Sequence, residues 1–250
     1  QAGKPRQAFI WNSMLLGLDS GNIEAQKRQS ELALAINDLP SAMRWYSHNL
    51  EQNPLDIQTQ IRLAEVTEWS GQPHEALKLW QNVVDLPGQI SADKKVHALK
   101  QVVRLAAMII QPREGAEALR QLSMIKRPSD ADILQLVQFY KLNGEPEVAS
   151  NTLMEIESVH GVNDFVLRTL ARHEYEHSEY QNSLDVWNRY VEAYGHTSDA
   201  TLSRMELLWR LDEKDKAAQA AQQLKGKPLL SQASDYQLRL MAEISWQYRY

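Results

Sequence analysis

The sequence has 250 residues, and its formal net charge is −5, from 27 basic and 32 acidic side chains mixed along the chain. This balance leaves no basic surface of the kind that nucleic-acid binding needs, so no nucleic-acid partner is expected. No apolar stretch approaches the roughly 18 residues of a membrane span, and the lack of cysteine excludes disulfides, thiol nucleophiles and cysteine-ligated zinc.

Apolar residues at spacings of three and four, separated by turn residues, predict an all-α chain. The first predicted helix covers residues 5–18, and by its place in the period described below it is the second helix of a repeat whose first helix is missing. Further helices are predicted over 23–36, 40–52, both sides of Ser70-Gly71, 92–110, 113–124, 132–142, 146–159, 164–177, 179–194, 198–211, 213–224 and 231–250.

Residues 63–80 show the clearest helix–turn–helix pattern. Gly71 can take the left-handed conformation that a helix end needs, and Pro73 falls at the start of the next helix, where its missing N–H costs nothing. Ala76 is small enough to let two helix backbones approach closely, and Trp80 fills the space one turn later. This stretch therefore predicts an antiparallel helix pair.

The same construction recurs at a fixed period. Small residues whose numbers rise in steps of 34 form two runs, Ala8, Ala42 and Ala76, and then Ala149, Ser183 and Ala217. A helix–turn–helix unit of about 34 residues is the signature of tetratricopeptide (TPR) repeats, and the chain resembles that family over nearly its whole length. The best matches to the family consensus are Pro54, Leu63, Ala64, Gly71, Ala76 and Trp80. The resemblance implies an α-solenoid of antiparallel helix pairs, stacked in a right-handed superhelix.

Some repeats depart from the family pattern. Ser30, Val137 and Met205 hold a first-helix place that is usually Gly or Ala. The period also slips after residue 88, because the step from Ala76 to Ala118 is 42 and the step from Ala118 to Ala149 is 31.

We interpret residues 85–113 as part of an enlarged repeat that bends the array, and a loop insertion on a solvent face is the alternative. No low-complexity linker interrupts the chain. We therefore expect a single solenoid of about seven units over residues 1–250, with its enlarged repeat near 85–127 and with both ends cut within the array.

The chemical motif of the chain is H-E-x-x-H at residues 173–177. On a helix, His173 and His177 could share a zinc ion, with Glu174 as general base. However, the period places the motif at a helix end, with Ser178 already in the turn, and the charged Glu176 is unusual inside such a motif. We therefore expect no metal, no other cofactor and no catalytic residue.

A repeat array binds through the surface that its first helices line. Projecting these helices by the period gives eight candidate partner-binding residues, which are Glu65, Trp69, Arg168, Arg172, Tyr175, Glu206, Trp209 and Arg210. Aromatic and Arg side chains carry much of the binding energy at interfaces, and their mixture with carboxylates suits a protein, a peptide or a polysaccharide. The alternative for Trp69 and Trp209 is packing between adjacent repeats.

The predicted function is a non-catalytic protein-interaction scaffold. The residues EWSGQPHEALKLW, at 68–80, are similar to the periplasmic TPR regions of bacterial exopolysaccharide (Pel-type) export proteins. This resemblance implies a periplasmic region of an outer-membrane protein that recruits a polysaccharide-modifying enzyme beside the export pore. The alternative is a cytoplasmic regulatory TPR module that binds a peptide or a signalling partner.

Overall fold

The computed structural model describes residues 4–86, 90–224 and 233–248, and within these ranges it contains helices and no strand. The fourteen helices of the described ranges are α1 (Pro5–Leu18), α2 (Ile23–Ala35), α3 (Leu39–Gln52), α4 (Ile57–Trp69), α5 (Pro73–Val84), α6 (Ala92–Met108), α7 (Pro112–Ile125), α8 (Asp130–Asn143), α9 (Pro146–His160), α10 (Asp164–Glu176), α11 (Tyr180–Tyr194), α12 (Ser198–Arg210), α13 (Lys214–Gln222) and α14 (Asp235–Gln247). None of these helices is both long enough and apolar enough to span a membrane.

The chain divides into two compact units, Gln1–Lys126 and Arg127–Tyr250. In the first unit, α2 packs against α3, α4 against α5 and α6 against α7, while α1 packs against α2. In the second unit, the pairs are α8 with α9, α10 with α11 and α12 with α13, while α14 packs against α12 and α13. The predicted all-α fold of antiparallel helix pairs is confirmed. That all units form one continuous solenoid stays a prediction.

A left-handed residue joins the two helices of each pair, and it marks the register of the repeats. The six residues with this conformation between paired helices are Asn37, Gly71, Ile110, Gly144, Ser178 and Asp212, with φ between 57° and 80°. Their residue numbers rise by 34 at every step except from Gly71 to Ile110, where the rise is 39. The irregular repeat is therefore longer by five residues, and the period resumes after it. Part of this addition lies in α6, which at 17 residues exceeds the 13 of α4.

This register shows that Ala118 does not hold the small-residue position of its repeat. The small residue of each second helix lies five positions after the left-handed residue, as Ala76 does after Gly71. In the enlarged repeat that position is Gly115, which is buried, and Ala118 lies almost one turn later. Residues 87–89, on which the alternative of a loop insertion partly depends, lie outside the described residues.

The small residues lie where two helices of a pair cross. Ala42, Ala76, Ala149 and Ala217 are fully buried, as predicted. The contact is seen directly at Ser183 in α11, whose hydroxyl donates a 2.8 Å hydrogen bond to the backbone carbonyl of Ala171 in α10. Such a bond requires the two backbones to lie close together, so a small side chain at the crossing determines how the pair packs.

The first helices also share a start signal. A side chain caps the N-terminus of α2, α4, α6, α8, α10, α12 and α14, supplied by Asn22, Asp56, Ser91, Ser129, Asn163, Thr197 and Ser234. Among the second helices, α5, α7 and α9 instead begin with proline and have no side-chain cap. The second helix α3 has both features, because Asp38 caps a helix that has proline at its second position.

Ile110 offers a test of the turn register, because it is a β-branched residue at φ 57° and is 75% exposed. Glycine has no Cβ and adopts the left-handed conformation without the roughly 1–2 kcal/mol of steric strain, whereas its greater chain entropy in the unfolded state costs roughly 0.5–1 kcal/mol. We expect Ile110→Gly to raise the free energy of unfolding by about 0.5–1 kcal/mol, measured by urea denaturation.

The matched control is Ile109→Gly, at the neighbouring residue with φ −104°. It should destabilise the protein, because it adds chain entropy without relieving strain. Equal effects of the two substitutions would contradict the assignment of the turn.

Candidate functional site

Helices α10, α11, α12 and α14 enclose a cavity of about 360 Å³, here called the α10–α12 cavity. Its lining residues are Arg168, Ala171, Arg172, Tyr175, Trp187, Asp199, Ser203, Glu206, Leu207 and Gln237. First helices supply most of this wall, because the period turns the same face of α10 and α12 toward it. The cavity therefore combines two cations, two carboxylates and aromatic surface.

Glu206 is the centre of a hydrogen-bond network at one end of this cavity. The Tyr175 hydroxyl donates to its Oε1 atom, which also accepts from Nε and Nη2 of Arg210 at 3.2 Å. Gln237 Nε2 donates to Oε2 at 3.0 Å, so residues from three helices share this one carboxylate. Glu206 is only 6% exposed, and its carboxylate accepts these hydrogen bonds from within the protein.

Arg210 lies among three tyrosine rings. Its guanidinium carbon is 5.2 Å from the ring centre of Tyr175, 5.3 Å from that of Tyr180 and 5.2 Å from that of Tyr236. Burial, followed by the hydrogen bond to Glu206, raises the pKa of Tyr175 to about 12, so this phenol stays protonated at physiological pH. The arrangement joins α10, α11, α12 and α14 through one cation.

Arg168 is also neutralised within the protein. Its Nη2 atom lies 2.5 Å from Oδ2 of Asp164, one turn earlier, and its Nη1 atom lies 3.8 Å from Oδ2 of Asp199 in α12. Burial alone would raise the pKa of Asp164, but hydrogen bonds from Arg168 and Tyr190 outweigh it and hold that pKa below its ordinary value of 3.8. Asp164 thus remains a carboxylate that holds Arg168 in place.

Arg172 differs from Arg168 and Arg210. It is exposed, and it makes no ion pair or hydrogen bond with any residue in the described ranges. It lines both the α10–α12 cavity and a second groove of about 690 Å³ between α8 and α10, here called the α8–α10 groove. The groove is lined by Leu134, Gln135, Val137, Gln138, Lys141, Phe165, Arg168, Thr169, Arg172, His173 and Glu176. Arg172 therefore presents an uncompensated charge beside apolar surface.

The structure brings five of the eight predicted residues together, which are Arg168, Arg172, Tyr175, Glu206 and Arg210. Trp209 is half-buried, does not line the α10–α12 cavity, and has Lys214 Nζ 5.6 Å from its ring centre. Glu65 and Trp69 belong to α4 in the other compact unit. Glu65 pairs with Arg62 at 2.9 Å, and Trp69 is 55% exposed. That all eight bind one partner stays a prediction.

The H-E-x-x-H motif has a structural explanation. His173 is 4% exposed, and its Nε2 atom donates to the carbonyl of Pro146 at 2.9 Å. His177 lies just beyond the end of α10, and its Nδ1 atom donates to the carbonyl of His173 at 2.8 Å. In the described part of the chain, no three His, Asp or Glu side chains are grouped to hold a metal ion. That the motif binds no zinc stays a prediction.

The α8 wall of the groove was not predicted from the sequence. Leu134 is 51% exposed, and Val137 is only partly buried although it holds the first-helix place of Ala64. The available signal in the sequence was that Val137 has a larger side chain than the Ala or Gly usual at this position. Trp187 and Gln237 were missed too, because they come from a second helix and from α14.

Comparison with known proteins identifies the fold and nothing finer. No protein-family model and no curated protein matches the chain. A chain in the structure of Naa15/Naa10 bound to HypK-THB matches 96% of this chain at 13% identity with a TM-score of 0.61, and this chain spans only 36% of its length.

Two solved TPR proteins match with lower TM-scores. YrrB, described as a TPR protein with an unusual peptide-binding site, matches over 79% of this chain and 97% of its own at 13% identity, with a TM-score of 0.44. A tetratricopeptide repeat protein from Parabacteroides merdae matches over 91% and 87% at 14% identity, with a TM-score of 0.39. The regular register of helix pairs is the observation that makes the fold of this chain TPR-like.

Glu206→Ala tests whether the Glu206 network is structural. The substitution leaves the partly buried donors of Tyr175 and Gln237 without their acceptor, and an unsatisfied donor costs about 1–3 kcal/mol when it is fully buried. We expect the free energy of unfolding to fall by at least about 1 kcal/mol in urea denaturation. Glu192→Ala, on the exposed face of α11, is the matched control and should change it by less than about 0.5 kcal/mol. Equal stability of the two variants would show that the network contributes nothing.

Proposed function

We propose that the chain is a non-catalytic scaffold that binds a protein or peptide partner on the face formed by α8, α10 and α12. The observation that carries the proposal is Arg172, an exposed and uncompensated cation between the α10–α12 cavity and the α8–α10 groove. Arg is favoured at interfaces because its planar guanidinium can donate two hydrogen bonds to one carboxylate. The partner expected at Arg172 therefore carries an acidic side chain.

The surface next to Arg172 adds an apolar requirement. Leu134, Val137 and Phe165 line the α8–α10 groove on one side of this residue. A partner that places an apolar side chain in the groove and a carboxylate on Arg172 would use both features, whereas a purely acidic segment would leave the groove unfilled. We infer that the bound segment combines acidic and apolar residues.

The titratable groups of the site support binding rather than catalysis. Glu206 is held by three donors, Asp164 is held by Arg168 and Tyr190, and the phenol of Tyr175 is kept neutral. A general acid or base needs a proton to exchange with a substrate at the operating pH. These groups instead have their hydrogen bonds within the protein, which is the pattern of a structural network.

A finer version of the proposal concerns location. The similarity of residues 68–80 to Pel-type export proteins supports a periplasmic region, within an outer-membrane protein, that recruits a polysaccharide-modifying enzyme. Fractionation of the source cells would separate this role from the regulatory one, because export requires the chain in the periplasm and the alternative places it in the cytoplasm.

The binding proposal is tested with random 12-residue peptides displayed on phage, selected on the wild-type chain and counter-selected on the bare support. Enriched peptides should carry Asp or Glu beside an apolar residue. In fluorescence anisotropy, Arg172→Glu should weaken their binding by about tenfold or more, since a charge-assisted hydrogen bond contributes about 1.5–3 kcal/mol. Added salt should weaken wild-type binding as well.

Arg113→Glu is the matched control, because Arg113 is an exposed arginine of α7 without a partner in the described residues. It should leave the affinity unchanged. Arg168 is a poor choice for reversal, because Asp164 would then face a second carboxylate. Selected peptides that bind Arg172→Glu and wild-type protein equally well would place the binding surface elsewhere.

A further inference from the structure

An arginine holds a core position of the repeat in α12. The position lies eight residues before the left-handed turn residue, and in the five earlier first helices it holds the buried residues Gln29, Leu63, Val102, Leu136 and Leu170. Gln29 is the polar member of this set, and its amide is hydrogen-bonded to Asn12 and Ser13. In α12 the position holds Arg204, which is half-buried. A guanidinium therefore lies where four other repeats have an apolar side chain.

Arg204 lines a cavity of about 370 Å³, here called the α11–α13 cavity. Its walls come from α11, α12 and α13, which belong to the complete helix pairs α10–α11 and α12–α13. The charged lining consists of Arg204, Lys216 and Glu213. The other polar lining residues are all amides, Gln181, Asn188, Gln219 and Gln223.

Lys216 is neutralised within the protein, whereas Arg204 is not. Nζ of Lys216 lies 2.5 Å from Oε2 of Glu213. Nε of Arg204 donates a 2.9 Å hydrogen bond to Oδ1 of Asn188, and no carboxylate of the described residues lies within ion-pair distance of this guanidinium. The residues outside the described ranges include no Asp or Glu. With no carboxylate to offset it, burial lowers the pKa of Arg204 below its ordinary value.

An uncompensated cation at a core position is unfavourable unless a bound group supplies the opposite charge. Nη1 and Nη2 of Arg204 make no hydrogen bond with a described residue, so this end of the guanidinium can donate two parallel bonds to one carboxylate. The two cations and one carboxylate of the lining leave one positive charge. A single carboxylate balances that charge, whereas a phosphate monoester carries about two negative charges.

The first unit contains an equivalent groove without the cation. This groove of about 340 Å³, between α5, α6 and α7, has lining residues at the same places of the register. Val102 replaces Arg204, and Glu114 replaces Lys216. Among the described residues, its lining includes three carboxylates and no cation. A groove between second helices is therefore common to both units, whereas the unpaired arginine is specific to the α11–α13 cavity.

We propose that the α11–α13 cavity binds a small hydroxylated carboxylate of the sugar-acid class. Its carboxylate lies against Nη1 and Nη2 of Arg204, and its hydroxyls bond to the amides of Gln219 and Gln223, because an amide both donates and accepts. A volume of about 370 Å³ is at the small end of the roughly 300–1,000 Å³ of ligand pockets, which suits a molecule of monosaccharide size. This site does not involve Arg172 and is independent of the partner proposed there.

The test is a titration of the chain with D-glucuronate, D-galacturonate and D-gluconate, followed by the NMR signal of the Arg204 Nε–H group. Loss of that signal in Arg204→Leu identifies it. At least one of the three sugar acids should shift the signal, with a Kd in the millimolar range or below. Measured by backbone amide shifts of α11 and α13, Arg204→Leu should weaken this binding by about tenfold or more. Arg204→Lys should weaken it too, because lysine cannot donate two parallel bonds.

The unliganded Arg204→Leu variant provides a second readout. Leucine is the residue that α4, α8 and α10 have at this position, so the variant should be at least as stable as the wild type in urea denaturation. Lower stability would show that the protein compensates the charge of Arg204 by itself, and would overturn the proposal. Arg113→Leu, at an exposed arginine of α7, is the matched control and should change neither sugar-acid binding nor stability.

Three further ligands separate the alternatives. D-Glucose has the hydroxyls without the carboxylate and should not bind. Acetate has the carboxylate without the hydroxyls, and glucose 6-phosphate has a phosphate instead, so both should bind more weakly than the best sugar acid. The proposal is overturned if no sugar acid binds, if glucose binds equally well, or if glucose 6-phosphate binds more tightly. Equal binding of acetate would also overturn it, because the cavity would then suit an acidic side chain of another protein.

Discussion

The close crossing of two helix backbones is the constraint on which the rest of this structure depends. The residue at each crossing has a small side chain. Examples are Ala42, Ala76, Ser183 and Ala217, and all four are fully buried. The Ser183 hydroxyl reaches the backbone of the facing helix, which only a short distance permits. Because a crossing lies five residues after each left-handed turn, the turn, the crossing and the helix faces recur together. In the second unit, the same face of α10 and of α12 thereby lines the α10–α12 cavity.

The candidate site follows from that recurrence and from how its charges are balanced. Glu206 and Arg210 neutralise each other among tyrosine rings, and Asp164 neutralises Arg168. Each of these pairs lies within one helix, at a spacing of four residues, and leaves little charge for a partner. Arg172 lies one turn beyond Arg168 without such a pair, so the charge presented to a partner comes from a single side chain beside an apolar groove.

The sequence predicted most of the fold because small residues, turn residues and prolines are local signals with a fixed period. The predicted helices agree with the observed ones to within one to three residues over the described ranges. Gly115 was missed because an interior glycine resembles a helix breaker, whereas its lack of a side chain suits a crossing. The left-handed conformation of Ile110, Ser178 and Asp212 was not predicted, because none of these residues is a glycine, although the helix bounds did place a turn at Ser178 and at Asp212.

The site was harder to predict because pairing between side chains depends on three-dimensional neighbours. Arg168 and Arg210 were identified as partner-binding cations, yet Asp164 and Glu206 lie four residues before them and pair with them. That spacing was visible in the sequence and could have separated Arg172 from the other two. The contribution of α8 to the groove could not have been predicted from the sequence, because packing decides whether Val137 faces its own partner helix or the groove.

Substitution of Ala76 by leucine tests the central constraint most directly. Leucine at a fully buried crossing forces the helices of the α4–α5 pair apart, and overpacking of this kind costs about 1–3 kcal/mol. Ala107→Leu, the same change on the exposed face of α6, should have almost no effect. The account predicts a lower free energy of unfolding, by urea denaturation, for Ala76→Leu only. Equal stability of the two variants would contradict it.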